Sequence, residues 1–301
     1  HTPSGTAIDI TASTMTSEIC SKMHEAGMVV LDARELGEYA GWWAMTFDQI
    51  NQRLGVDMHR QTIEVAPRPN HTLGGLSTDE NGRVVLQSWA RWFTGVYAAG
   101  DASSSGLHGA DVLAGNRLLE AICTGESAGL HASEWIKKRK FTGASTLEDS
   151  LNIATAELSM LGVESEGPVQ RLKPVVQRLC EILTSTQTPA IDAGALASAS
   201  ESLNQLSIRG EQLHCDETSL IANQNLLEMF RVQAAIRLGL ASVRSAELRT
   251  ESRGLHQRSD YPETDSEQLH HNLVYNDGSS GTLALRKGPS GNWILNPTSA
   301  V

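Results

Sequence analysis

Val96-Tyr97-Ala98-Ala99-Gly100-Asp101, then Gly106-Leu107-His108-Gly109-Ala110, then Gly115-Asn116-Arg117-Leu118-Leu119-Glu120, is the stretch from which the rest of the chain can be read. It spells a short buried strand, a small-residue turn ending in an acid, a glycine-rich loop and a helix start. That order delivers backbone N–H groups and one carboxylate to the same place, as a nucleotide-type cofactor requires. Asp101 has two readings: it accepts hydrogen bonds from sugar-type hydroxyls, or it caps its own turn. The helix opening near Asn116 presents unpaired amides and the positive end of its dipole, which favour negative charge developing on a ligand.

Upstream, Met15, Ile19 and Met23 recur at intervals of four, as on a helix lying against something. Met28 to Asp32 is a compact strand candidate. Residues 44–54 read as a short amphipathic helix stopped by Gly55. Thr62 to Pro67 alternates like a strand. In Pro67-Arg68-Pro69-Asn70-His71-Thr72-Leu73-Gly74-Gly75, the glycines allow a backbone to approach a flat ring. Arg68 and His71 there could bind an anionic substrate, although by themselves these residues read first as a proline-kinked connection with a surface arginine and a hydrogen-bonded histidine. Asn81-Gly82, between two strand-like runs, predicts a type I′ hairpin. The helix from about 116 to 138 carries Leu118, Leu119, Ile122, Leu130 and Trp135 on its apolar side. Its basic end, Lys137 to Lys140, complements the dipole.

After about residue 142 the strand signal disappears. Leucine-rich stretches predict an antiparallel helical bundle, the longest helix running from about 219 to 249. Glu251 to Asp265 is dense in alternating charge, either a solvated end or a segment that docks through bidentate arginine–carboxylate pairs. His270-His271 is adjacent and lacks an acidic cage, so no metal site is expected. Residues 272–301 read as a hairpin around Asp277 to Gly281.

The 301 residues are 40% hydrophobic and carry a net charge of −11. That acidity disfavours nucleic acid, whose phosphates need clustered Lys and Arg. Cys20, Cys123, Cys180 and Cys215 lie far apart, which argues against a disulfide framework or iron–sulfur ligation by this chain and fits a reduced, cytoplasmic setting. No apolar run reaches the ~20 residues of a spanning helix, so no direct membrane insertion is expected. A chain opening on His1 rather than Met is expected to lack its natural start.

Taken in order, these segments resemble the flavoprotein subunit of succinate dehydrogenase and fumarate reductase, and the related L-aspartate oxidase. The family pattern has an H-x-x-x-G-G element, here Asn70 to Gly75, then T-D-x-x-G-R, here Thr78 to Arg83. It continues with G-L-Y-A-A-G-E/D, here Gly95 to Asp101, and H-G-A-N-R-L-G-S-N-S-L-L, here His108 to Leu119. It ends in E-S-R-G-x-H-x-R-x-D-Y-P, matched from Glu251 to Pro262.

The resemblance implies an α+β fold: part of an FAD-binding α/β domain with a capping-domain remnant, then an α-helical bundle and a short β tail. Residues 1–60 would end the capping domain and 61–142 the FAD-binding domain. Residues 143–250 would form the helical domain, and 251–301 a docking segment and β tail. It implies FAD as cofactor, held by Gly74, Gly75, Gly100, Asp101, Asn116, Arg117 and Leu118. His71, Arg117 and Arg253 are its implied catalytic residues.

The implied activity is hydride transfer between a dicarboxylate-like substrate and FAD. Electrons would pass to a partner such as an iron–sulfur subunit of a respiratory complex, peripheral on the inner face of the membrane. The G-x-G-x-x-G loop of the family is not found, so an N-terminal FAD-binding half, in the same or a separate chain, is implied as a partner. The family's substrate histidine falls on Asn70, with His71 one place late, and its carboxylate-binding arginine falls on Val112. Those departures motivate two alternatives: a non-catalytic structural paralogue, or a flavoenzyme for a less anionic substrate.

Overall fold

The computed structural model describes residues 29–65, 72–86, 92–112, 116–140, 143–160, 171–186, 191–211, 213, 219, 221–287 and 293–300. The expected Met15–Met23 helix and the Pro67–His71 segment lie outside them. The chain divides into two compact units at Thr72/Leu73.

In the first unit, β1 (Val29–Leu31) pairs antiparallel with β2 (Ile63–Val65), Leu31 opposite Ile63. Between them lies α1 (Ala44–Leu54), which stops at Gly55 in the left-handed conformation. Phe47 of α1 packs with Ala33 and Met58 in a small core. Just before α1, Tyr39, Trp42 and Trp43 stand in solvent.

The second unit opens with two small sheets. β3 (Leu76–Ser77) pairs parallel with β6 (Ser103–Ser104), and β4 (Arg83–Val85) pairs antiparallel with β5 (Trp92–Tyr97). The turn before β4 is not type I′. Gly82 has φ +68, Asn81 is not left-handed, and the Gly82 N–H donates to the Asp79 carbonyl at 3.0 Å. This is a type I turn closed by a left-handed glycine. Asp79 accounts for it: its carboxylate accepts the Asn81 and Arg83 amides, each at 3.0 Å, and pairs with the Arg83 guanidinium.

α2 (Asn116–Lys137) rests on β5 through Trp92, Tyr97, His131 and Trp135, with Tyr97 Oη 2.8 Å from His131 Nδ1. Ala128 is its buried residue among those described, whereas Leu118, Leu119, Ile122 and Leu130 are exposed. The apolar side expected of this helix is present but uncovered. α3 (Ala144–Met160) likewise exposes Leu147, Leu151 and Ile153.

α4 (Leu172–Ser185), α5 (Ala193–Glu211) and α6 (Gln224–Leu248) form the main core. Val175, Leu179, Ile182, Leu203, Met229 and Ile236 are among its buried members. α6 begins five residues later than its periodicity suggests, because Asn223 caps it. The Asn223 Oδ1 accepts the Leu226 amide at 2.9 Å. β7 (His270–Val274), β8 (Ser280–Lys287) and β9 (Trp293–Ala300) make an antiparallel sheet in that order. The hairpin turn falls at Asp277 as expected, and a third strand is added.

Candidate functional site

The turn after β5 is held on the first turns of α2 by three links. Arg117 makes a two-pronged pair with Asp101, Nε to Oδ1 at 3.1 Å and Nη2 to Oδ2. The Gly100 amide donates to Thr124 Oγ1 at 3.0 Å, and that hydroxyl donates to the Glu120 carbonyl at 2.6 Å. Ser105 Oγ donates to Glu120 Oε1 at 2.8 Å. On the other oxygen, His108 Nε2 lies 2.9 Å from Glu120 Oε2, close but not directed as a hydrogen bond. Sequence reading missed Glu120 and His108. The available signal was Glu120 standing four residues from Asn116, on the same helix face.

Beside these links lies a cleft of about 510 Å³, lined by Leu107, His108, Asp111, Asn116, Leu119 and Glu120. The α2 amides that open at Asn116 have no intrahelical acceptors. Asp111 Oδ2 is buried with no hydrogen-bond partner. Among the described residues no lysine or arginine lines the cleft.

The charged segment after α6 docks. Glu251 is fully buried and accepts from Arg249 (2.6 Å), from Arg253 through both prongs (2.9 and 2.8 Å) and from the Asp265 amide (2.9 Å). Burial opposes its ionisation, but Arg253, the Asp265 amide and Arg249 together hold its carboxyl below the usual carboxylate range. Arg258 pairs with Asp260 (2.7 and 2.6 Å) and donates to the Ala246 carbonyl. The Asp260 carboxylate also accepts the Ala193 amide that opens α5, and its pKa falls to about 2, chiefly through Arg258.

This segment reaches the cleft at Gly254, with φ +58. A Cβ there would lie 2.8 Å from the Ala110 carbonyl oxygen and 3.0 Å from Asp111 Cβ, so no other residue fits. The Leu255 amide donates to the Ala110 carbonyl at 3.0 Å. The loop carrying His108 and Asp111 is therefore clamped between α2 and the docking segment.

Of the sequence candidates, Gly100, Asp101, Asn116 and Arg117 come together, with Leu118 exposed on α2. Gly75 (φ +148) is demanded by the backbone itself, since a Cβ would sit 2.5 Å from the Ala102 carbonyl oxygen. Gly74 faces open space, with nothing within 4 Å of where a Cβ would be. Arg117 is engaged with Asp101, which raises its pKa further. Arg253 is engaged with Glu251 and the Asp265 carbonyl (2.9 Å). His71 lies outside the described residues. His270 and His271 alternate along β7 and so face opposite sides. His270 Nδ1 is 3.2 Å from the Glu267 carbonyl, and His271 Nδ1 is 3.4 Å from Ser104 Oγ. No helix among the described residues is long and apolar enough to cross a membrane.

Comparison with known proteins gives two family models. The FAD binding domain matches residues 26–118, and the fumarate reductase flavoprotein C-terminal model matches residues 176–293. The fumarate reductase flavoprotein subunit of Escherichia coli K12 is 29% identical over 279 residues, covering 86% of this chain and 42% of its own length. The succinate dehydrogenase flavoprotein subunit of Rickettsia bellii is 28% identical over 237 residues, covering 73% of this chain and 37% of that subunit. A solved point variant of E. coli quinol fumarate reductase superposes with a TM-score of 0.78 at 22% identity, over 100% of this chain and 51% of that one. It shows the same mixed fold with a helical C-terminal region. The chain thus spans about two fifths of the curated relatives it matches.

Proposed function

From its similarity to the flavoprotein subunits of succinate dehydrogenase and fumarate reductase, we propose that this chain belongs to their family and is the C-terminal portion of an FAD-dependent oxidoreductase. FAD, when bound, supplies an acceptor for hydride and a route for electrons onward. Gly74 offers bare backbone, Asp101 a carboxylate beside the turn, and Asn116, Arg117 and Leu118 the opening amides of α2. Those amides stabilise negative charge on a ring placed against them. The observation that carries this reading is the clamped turn: three side-chain links fix residues 100–105 against α2. A donor set held this rigidly costs little reorganisation when charge develops.

The residues 1–60, 61–142, 143–250 and 251–301 are assigned to capping-domain end, FAD-binding domain, helical domain and docking tail on the same basis. The uncovered apolar side of α2 suits an N-terminal FAD-binding half, each large apolar side chain gaining roughly 1.5–3 kcal/mol on burial. An iron–sulfur subunit is the proposed electron partner.

For the substrate, the less anionic reading is favoured over a dicarboxylate. The arginine expected at the family position is Val112, and Arg117 and Arg253 already hold carboxylates. The test is purification with the N-terminal half followed by visible absorbance. A stoichiometric flavin spectrum is expected, lost or markedly reduced in Asp101→Ala. A folded, assembled complex that is colourless and takes up no added FAD overturns the reading.

A further inference from the structure

Resting on that reading, we propose that the cleft beside the start of α2 selects a substrate whose head group is an ammonium, received by Asp111. Two adjacent changes from the family pattern fall here. Where the pattern has N-R, this chain has Asp111-Val112. A cation is lost and an anion gained, a swing of two charge units within one dipeptide.

The surroundings do not compensate it. Glu120, the other carboxylate on the cleft, has Ser105 on one oxygen and His108 beside the other. Asp111 has no hydrogen-bond or ion-pair partner for its side chain among the described residues, and its Oδ2 is buried. Gly254 and Leu255 press on the backbone of residues 110–111, so the loop that carries this carboxylate is held in place.

An unpaired carboxylate oxygen buried at a part-enclosed cleft is unfavourable unless a donor meets it. A second carboxylate brought there meets like charge with reduced screening, whereas an ammonium forms a charge-assisted hydrogen bond. Leu107 and Leu119 provide apolar wall for a short carbon chain.

The experiment is isothermal titration of the flavin-loaded protein with two probes of equal length, γ-aminobutyrate and succinate. The first exchanges one carboxylate for an ammonium. At least tenfold tighter binding of γ-aminobutyrate is expected. Asp111→Asn should erase that preference while retaining flavin. Val112→Arg, an independent variant, should shift the preference toward succinate. Succinate binding equally or more tightly to the flavin-loaded wild type overturns the ammonium site and leaves the FAD assignment intact. Failure to load flavin at all sinks the assignment beneath it. A preference that survives unchanged in Asp111→Asn overturns the role of Asp111.

Discussion

The helical bundle and the helix α2 are both apolar along one side, yet they end up in opposite environments. In the bundle, Leu203 is 0% exposed and Ile236 1%, each buried among α4, α5 and α6. On α2, Leu118 is 70% exposed and Leu119 59%. The bundle closes on residues of this chain. α2 is fixed by polar links to residues 100–108 and by an aromatic contact with β5, and its greasy side is left over. Amphipathic pattern states that a face wants covering. It does not state that the cover is present.

The strongest way to break this comparison is a pair of truncations. Leu203→Ala should cost about 2–5 kcal/mol in denaturant melts of this chain, by lost transfer energy and an unfilled cavity. Leu118→Ala should change stability by less than about 0.5 kcal/mol, as surface substitutions do. Equal losses at both sites would mean that α2 is covered after all. In the complex with an N-terminal half, the Leu118 variant should become costly.

Acid should act next, through the polar joint between the sheet and the 100–104 turn. Burial, then Arg249 and His270, lower the His271 pKa from 6.5 to about 4, and burial also lowers His256. The unfolded chain therefore takes up protons on these rings at higher pH than the folded one. Their stabilising contribution is whole above pH 6.5 and is lost as pH falls toward 4. For His271 the shift corresponds to a loss on the order of 3 kcal/mol. Below that, Glu251 and Asp260, whose carboxyl pKa values are lowered in the folded state, lose their contribution in turn. Melts at stepped pH should show the first decline markedly smaller in a stably folded His271→Gln variant, with the remainder left to His256. An identical profile in that variant would remove His271 from the account.

The last expected effect is the most local. Gly254→Ala forces a left-handed alanine against the Ala110 carbonyl, costing about 1–3 kcal/mol. Hydrogen exchange should rise at residues 105–112 and leave the bundle core unchanged. Loosening spread evenly through both regions would show that the docking segment supports the whole unit rather than the cleft.

Much of the local structure was legible in the chain itself. Gly55 stops α1, Asn116 to Lys137 is a helix, and the charge-dense segment, open in the sequence between a solvated end and a docking one, forms bidentate pairs within itself. Each of these rests on backbone dihedral preference, periodicity or fork geometry that acts over a few residues. The hairpin at Asn81-Gly82 was legible as a turn and mistaken in type, because the Asp79 side chain competes for the amides that define it. The start of α6 moved to Gln224 for the same reason, a side chain at Asn223 taking a backbone donor.

The sequence by itself determined most of the helices and several of the strands, and that a carboxylate, a glycine turn and a helix start lie close along the chain. Only the tertiary structure decided which charges are already spoken for. Arg117 and Arg253 are indistinguishable from substrate clamps until Asp101 and Glu251 are seen in their grip, and Asp111 is an ordinary loop acid until it is found unpaired. The reason is range: dihedral preference is a property of neighbours in the chain, whereas pairing and burial depend on groups as far apart as Ser104 and His271 meeting in space.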